Sequence, residues 1–395
     1  MLLSLALLFL VGMSLGAIFV RIHLPSLIGM LLTGILLGPH VLNLLDPSLL
    51  MISTELRQIA LIIILTRAGM NLDIRELKKA GRPALLLCFV PACFEILGAA
   101  LLAPMLFGVT RLEGVLIGTV LAAVSPAVVV PRMLRLTEHG YGTNKAIPQM
   151  IMAGASVDDI FVIVLFTVVS SLLQTGDINA LQFLKIPTSI ALGMAGGILS
   201  GLFLSKFFSS YHMRDTIKVV IILSIAFLLV TLDQSIVGPV GFSGLLAVMV
   251  LGGSIRAKRE FVAKRLSLKF SKLWVASEVL LFVLVGANVN ISYALRAGGA
   301  AILLILLALL FRMMGVWIST IHSSLNNKER LFTAAAYIPK ATVQAAIGGL
   351  PLAMGLASGE LILTAAVLSI LITAPLGAYL IDQLYTRCLE SFGDA

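Results

Sequence analysis

The stretch IPQMIMAGASVDDIFVIVLFTVVSSLL, residues Ile147–Leu173, holds two adjacent carboxylates, Asp158 and Asp159, in a run that is otherwise apolar enough to span a bilayer. A transmembrane helix needs about 20 apolar residues, and this run is longer than that. Carboxylates are costly at membrane depth, and those that occur there usually form a proton or cation site. The stretch therefore predicts a membrane-spanning helix that carries an ion-binding site.

The composition of the whole chain is that of a membrane protein. Among its 395 residues, 59% are hydrophobic and 12% are charged, and the mean hydropathy is +1.08. These values exclude an ordinary water-soluble domain. At about 20 residues per span, the length allows roughly a dozen spans and leaves little for an extramembrane domain. We therefore predict a single all-α, multi-pass membrane domain over residues 1–395.

Apolar runs separated by Pro, Gly and charged residues predict about 13 transmembrane helices. Lys and Arg concentrate at one set of alternate loops, as cytoplasmic loops do. This pattern predicts an N-terminus outside and a C-terminus in the cytoplasm, in a plasma membrane or a bacterial inner membrane. It also assigns the net charge of +9 to contact with the lipid bilayer rather than with nucleic acid. The segments lie near residues 1–20, 25–43, 55–72, 83–107, 113–137, 146–174, 187–207, 216–232, 237–254, 272–291, 298–318, 330–350 and 360–384.

These segments divide as six, one and six, which suggests two inverted repeats, residues 1–174 and 216–384, joined by a linker helix at 187–207. The fifth segment of each half contains prolines, in LAAVSPAVVVPRM and in AAAYIPKATVQAAIGG. A proline inside a span breaks the helix, which is tolerated only beside a cavity or packed protein. Paired broken helices are typical of a binding site at the bilayer midplane. Two ordinary proline kinks are the alternative interpretation.

Charged residues near both breaks fit such a site. Crossing broken helices bring together helix ends of opposite partial charge, which a carboxylate and an ammonium group would neutralise. Asp158 or Asp159 with Lys340 supplies this combination. Glu95 and Arg312, on the fourth segments of the two halves, form a second complementary pair. That pair is either purely structural or part of the mechanism.

Two further polar residues, Thr342 and Gln344, lie beside the second break. They either line a cavity there or make hydrogen bonds between helices. The cysteines and histidines have no metal-ligand spacing, and we expect no cofactor.

Six short motifs spread along nearly the whole chain carry a resemblance to the cation/proton antiporter superfamily, and within it most closely to the NHA-type sodium/proton antiporters. Members of that family look like homodimers, in which a six-helix core that carries the ion moves against a dimerisation domain. By this resemblance, segments 4 to 6 and 11 to 13 form the core, and segments 1 to 3 and 8 to 10 form the scaffold. The motifs are RAGMNLD (Arg67–Asp73), VSPAVVVP (Val124–Pro131), HGYGTNKAIP (His139–Pro148), ASVDDI (Ala155–Ile160), LVGANV (Leu284–Val289) and PKATVQAAIG (Pro339–Gly348).

The resemblance implies the roles of the acidic pair. Asp159 is expected to be the principal ligand of a transported sodium or lithium ion, and Asp158 the partner of a basic residue. Adjacent residues on a helix point about 100° apart, so the two aspartates must do different jobs. Ser125, Ser156 and backbone carbonyls of the first break are expected as further oxygen ligands. Protons would compete with the cation at this site.

The stoichiometry of exchange stays open at this point, because either Lys340 or Arg312 can be the partner of Asp158. A buried lysine can lose its proton and so add to the transported charge, whereas arginine effectively cannot.

Other functions are less consistent with the sequence. Potassium/proton exchange and cation-coupled transport of an organic anion are the alternatives within the transporters. An intramembrane aspartyl protease would need two carboxyl groups that converge on one proton, and adjacent residues on one helix do not easily do so. We therefore expect a transporter and not an enzyme.

Overall fold

The structure is a computed structural model that describes residues 1–71, 81–175, 185–211, 213–236 and 241–391. Within these ranges every regular element is an α-helix, apart from one isolated β-bridge between Tyr141 and Ser391. The all-α fold class predicted from the sequence is confirmed. Asp73, the last residue of the RAGMNLD motif, lies outside the described residues.

The helices follow one another with short connections. They are α1 (Leu2–Arg21), α2 (Ser26–Leu37), α3 (Pro47–Met51), α4 (Ser53–Asn71), α5 (Gly81–Leu87), α6 (Val90–Phe107), α7 (Arg111–Leu121), α8 (Pro126–Glu138), α9 (Ile147–Thr175), α10 (Lys185–Ser210), α11 (Asp215–Ser235), α12 (Gly244–Lys258), α13 (Glu260–Ala287), α14 (Ile291–Thr320), α15 (Asn327–Ala336), α16 (Thr342–Ile347), α17 (Leu350–Ala353) and α18 (Gly359–Cys388).

Every predicted transmembrane segment coincides with at least one helix. In the described part of the chain, nine helical spans are long and apolar enough to cross a membrane. The other predicted segments correspond to α2, α4, α12 and the series α15 to α17. These helices are short, carry several polar residues or are interrupted, so length and hydropathy alone do not identify them as spans.

Within the described residues, three of the predicted segments are interrupted. Two breaks, between α7 and α8 and between α15 and α16, lie where the prolines predicted them. A third break, at Cys88 and Phe89, separates α5 from α6 and was not predicted. Its cause is Pro91, which has no N–H to donate to the carbonyl of Leu87 one turn earlier.

The chain forms two compact units. The first contains the described residues of 1–54, 74–162 and 281–395, and the second those of 55–73 and 163–280. All three helix breaks and every site residue predicted from the sequence belong to the first unit. The division into inverted repeats at residues 1–174 and 216–384 stays a prediction.

Within the first unit, α2 packs directly on the last turns of α13. A Cβ atom added to Gly34 would lie 1.9 Å from the carbonyl oxygen of Val283, and one added to Gly286 would lie 2.2 Å from that of Leu31. The two backbones are therefore in contact, and only glycine fits at either position.

Replacing Gly34 by alanine should lower the melting temperature of the purified protein, because the added methyl group displaces the backbone at Val283. Overpacking of this kind costs roughly 1–3 kcal/mol of unfolding free energy. Gly299→Ala is the matched control, since a Cβ atom there meets nothing within 4 Å. Thermal unfolding in detergent measures both variants, and equal melting temperatures would contradict the close contact.

Candidate functional site

The first break separates α7 from α8. Helix α8 begins at Pro126, a position that suits proline because the first helical turn needs no internal N–H donor. Ser125 precedes it with extended backbone angles, φ −87° and ψ 108°. The Ser125 hydroxyl is buried and has no hydrogen-bond partner among the described residues. The first break therefore contains a buried hydroxyl group whose hydrogen bonds the described residues do not satisfy.

The second break, between Ala336 and Thr342, touches the first. The backbone amide of Ser125 donates a hydrogen bond of 2.8 Å to the carbonyl oxygen of Pro339. The amide of Lys340 donates to the Thr373 hydroxyl at 3.0 Å. The two interrupted helices therefore meet, as the paired prolines predicted.

Buried side chains donate to the carbonyl groups that end α7. Carbonyls at a helix C-terminus have no partner within the helix and carry its partial negative charge. Side-chain donors from around the break satisfy these carbonyls and offset the partial negative charge at the end of α7. The end of the helix therefore does not need water as a hydrogen-bond donor. The hydrogen bonds run from Lys340 Nζ and Gln344 Nε2 to Leu121, from Arg312 Nη1 to Ala122, and from Gln344 Nε2 to Ala123.

Four charged side chains form a continuous buried cluster. Lys340 Nζ lies 2.7 Å from Glu95 Oε1 and 2.8 Å from Glu95 Oε2. Arg312 Nη1 lies 2.9 Å from Glu95 Oε2, and Arg312 Nη2 lies 2.9 Å from Asp158 Oδ2. None of the four is more than 1% exposed. Two acids and two bases give the cluster a net charge of zero, which is the condition for burying such groups together.

The two adjacent aspartates have different surroundings. Asp158 Oδ2 accepts hydrogen bonds of 2.9 Å from the Val124 amide at the first break and from Arg312. Asp159 is 8% exposed, its Oδ1 atom has no donor, and no ion pair in the described part of the chain includes it. Of the two basic candidates, Arg312 is the one that contacts Asp158, whereas Lys340 contacts Glu95.

The remaining residues that the sequence suggested lie around these two acids. Ser156 is half-buried, and its hydroxyl donates to the Met152 carbonyl at 2.8 Å, which leaves its lone pairs available. Thr342 is buried at the start of α16. Gln344, two residues further on, donates to carbonyls at the first break through its amide nitrogen.

Sequence reasoning missed Tyr337, the first residue of the second break. Its carbonyl oxygen accepts a hydrogen bond of 2.9 Å from Arg312 Nε, and its ring lies 5.4 Å from the guanidinium carbon. A Cβ atom added to Gly154 would lie 2.0 Å from the Tyr337 hydroxyl, so this ring also packs on the helix of the aspartates. The only hint in the sequence is an aromatic residue beside the proline break.

The family of the chain follows from its sequence similarity. A sequence model of the family described as "Sodium/hydrogen exchanger, transmembrane" matches residues 5–384. The chain belongs to this family. Human sodium/hydrogen exchanger 9B2 is 36% identical over 380 residues, which cover 93% of this chain and 70% of the relative. Human sodium/hydrogen exchanger 9B1 is 33% identical over 393 residues, which cover 94% and 74%.

The fold agrees with this membership. The sodium proton antiporter MjNhaP1 from Methanocaldococcus jannaschii superimposes with a TM-score of 0.85 over 97% of each chain, at 22% sequence identity. The resemblance to cation/proton antiporters is therefore confirmed, and the chain is an integral, multi-pass membrane protein. The sodium/hydrogen exchanger family consists of transporters and not of enzymes.

The site has two electrostatically different parts. The neutral cluster of Glu95, Arg312, Lys340 and Asp158 holds the broken helices in place. Asp159 adds one carboxyl group that the cluster does not neutralise. The described site therefore combines a charge-balanced cluster with one further carboxyl group that has no ion-pair partner among the described residues.

Replacing Glu95 by glutamine should strongly destabilise the exchanger, because Lys340 and part of Arg312 lose their buried counter-charge. Breaking a buried ion pair typically costs 3–5 kcal/mol, roughly, whereas an exposed pair is worth about 0–1 kcal/mol. Asp382→Asn is the control, since Asp382 pairs with Arg132 while 46% exposed. Thermal unfolding should show a much larger loss for Glu95→Gln, and similar losses would contradict the buried cluster.

Proposed function

We propose that this chain exchanges sodium or lithium for protons, with Asp159 as the group that binds either one. The observation that carries the proposal is the unequal pairing of two adjacent acids. Asp158 accepts from Arg312 and from the Val124 amide, whereas Asp159 Oδ1 has no donor and Asp159 joins no ion pair in the described residues. One acid serves the structure, and the other is available to an ion.

The burial of Asp159 explains why a proton and a cation would compete for it. A lone carboxylate in apolar surroundings is strongly disfavoured, so Asp159 requires a positive partner. A proton or a small cation neutralises the carboxylate. Once either one is bound, Asp159 has no remaining negative charge to attract the other. Small hard cations prefer oxygen ligands, and Asp158 Oδ1, Ser125 Oγ and Ser156 Oγ are the further oxygens that we propose around Asp159.

The neutral cluster also favours exchange of one cation for one proton. Its two acids and two bases cancel without any bound ion. Only the charge of Asp159 then remains to be neutralised, by one sodium ion in one half of the cycle and by one proton in the other. Lys340 contacts Glu95 and not the aspartate pair, so release of a lysine proton is not part of this scheme.

Exchange further requires that Asp159 face the two sides of the membrane in turn. We propose an elevator-like movement of a core that carries both broken helices, within a homodimer built from two inverted repeats. The resemblance to NHA-type antiporters and the likeness to the MjNhaP1 fold support this part of the proposal. The orientation with the N-terminus outside, in a plasma membrane or a bacterial inner membrane, rests on the distribution of Lys and Arg.

Asp159→Asn should abolish sodium-driven proton movement in proteoliposomes, because a neutral amide needs no cation. A fluorescent pH indicator inside the vesicles measures the flux after an imposed sodium or lithium gradient. Glu260→Gln is the control, since it alters an exposed acid in an i,i+4 pair with Lys264. Proton flux that persists in Asp159→Asn would refute the proposal, and flux driven by potassium alone would favour potassium/proton exchange instead.

The rate of wild-type exchange should not depend on membrane potential, because one positive charge moves in each direction. Proteoliposomes with potassium and valinomycin clamp the potential at zero or at negative values during the same assay. Equal initial rates would agree with one-for-one exchange. A rate that rises severalfold at one sign of potential would exclude it.

A further inference from the structure

Another buried ion pair lies outside the charge cluster. Lys145 Nζ lies 2.9 Å from both carboxylate oxygens of Glu329, and Glu329 is fully buried. One of these oxygens, Oε2, also accepts a hydrogen bond of 2.7 Å from the Asn326 amide, so the first turn of α15 fixes the carboxylate. The pair therefore links two parts of the first unit that are 184 residues apart in the sequence.

Lys145 belongs to the connection between α8 and α9, and this connection is held in one conformation. Ala146, the last residue before α9, has a φ of +52°. A residue other than glycine persists in this left-handed region when the surrounding structure holds it there. The Gly142 amide donates to the Glu390 carbonyl at 2.9 Å, and Asn144 Nδ2 donates to Glu390 Oε2 at 2.6 Å. The chain therefore enters α9 from a fixed direction.

Helices α9 and α15 are joined at two places. Near the site, Arg312 contacts both Asp158 on α9 and the carbonyl of Tyr337, directly after α15. At the other end, Lys145 precedes α9 by two residues and pairs with Glu329 in the first turn of α15. At 1.5 Å per residue, Glu329 and Tyr337 are roughly 12 Å apart along the helix. Two helices joined at one point can change their angle, and a second contact at this distance prevents it.

The angle between α9 and α15 affects the oxygens that we propose around the cation. Asp159 and Ser156 lie on α9. Ser125 instead follows the second break, because its amide donates to the carbonyl of Pro339, three residues after α15. A change of angle would therefore move Ser125 relative to Asp159. A small cation needs several oxygens at the right distance at once, whereas a proton binds to a single carboxyl oxygen.

Stability alone does not account for a buried ion pair. Apolar residues that pack well in its place are often equally stable, whereas the loss of one partner is costly because the other charge stays buried. What such a pair can add is one defined geometry. Lys145 and Glu329 join the helix of the acidic pair to the second broken helix, where a defined geometry bears on the ion site.

We infer that Lys145 and Glu329 are positioning residues that fix the angle between α9 and α15 and so set the affinity of the site for the cation. This inference rests on the proposed exchange at Asp159. The two residues act through the helices that they join and do not bind the ion themselves. Loss of the pair should therefore weaken sodium binding more than it lowers the maximal rate.

Variants of the full chain separate positioning from stability. Lys145→Met and Glu329→Gln each leave one buried charge unpaired and should lower the melting temperature. The double variant Lys145→Met/Glu329→Gln removes both charges, so its melting temperature should return towards that of the wild type. Lys145→Arg keeps the charge and can donate to both carboxylate oxygens. Lys264→Gln is the control, since it removes a lysine from an exposed pair with Glu260.

Sodium-driven proton flux in proteoliposomes gives the apparent KM and the maximal rate. We expect the double variant to raise the KM for sodium by at least about threefold, with a maximal rate within about twofold of the wild type. Lys145→Arg and Lys264→Gln should keep the wild-type KM. A wild-type KM in the double variant would overturn the inference even if the single variants were impaired, because affinity would then follow stability. If the double variant does not fold, equal KM values in Lys145→Met and Lys145→Arg would overturn it.

The two proposals fail in different ways. An active Asp159→Asn would remove the proposed exchange, whatever the variants of Lys145 and Glu329 do. An inactive Asp159→Asn together with a wild-type KM in the double variant would remove only the positioning role of the ion pair.

Discussion

The candidate site depends on the hydrogen bonds and ion pairs of the Arg312 guanidinium group. This planar group contacts Asp158, Glu95, the carbonyl of Tyr337 and the carbonyl of Ala122. These partners belong to both broken helices and to the helices of the two acids. A fork of five N–H donors can satisfy so many acceptors in fixed directions, whereas a lysine ammonium cannot. The buried position is tolerated because two carboxylates and the ring of Tyr337 surround the charge.

Much of this arrangement was accessible from the sequence, for identifiable reasons. Apolar runs reveal spans because lipid imposes their length, and prolines reveal breaks because they remove a donor. The acidic pair on α9 and the charged residues at positions 95, 312 and 340 attract attention because unpaired charges do not persist in lipid. These rules act locally, so they work without knowledge of the fold.

What the sequence did not reveal depends on three-dimensional contacts. Arg312 and Lys340 are both basic residues in apolar runs. Only the packing of α14 and of the second break places Arg312 against both Asp158 and Glu95 and Lys340 against Glu95. Tyr337 contacts Arg312 through its backbone carbonyl and the face of its ring. A pattern of polar residues in the sequence does not predict contacts of this kind. The carbonyls of Leu121, Ala122 and Ala123 at the first break accept hydrogen bonds from Arg312, Lys340 and Gln344, and no local pattern in the sequence identifies these donors.

The third interruption, before Pro91, means that α5 and α6 are not one continuous helix. A continuous ladder of backbone hydrogen bonds makes a helix a stiff rod, and Pro91 removes one rung of it. Glu95, which holds Lys340 and Arg312, lies on α6 shortly after this point. A tilt of α5 would therefore reach Arg312 through the packing of α5 on α14 and not along the axis of α6.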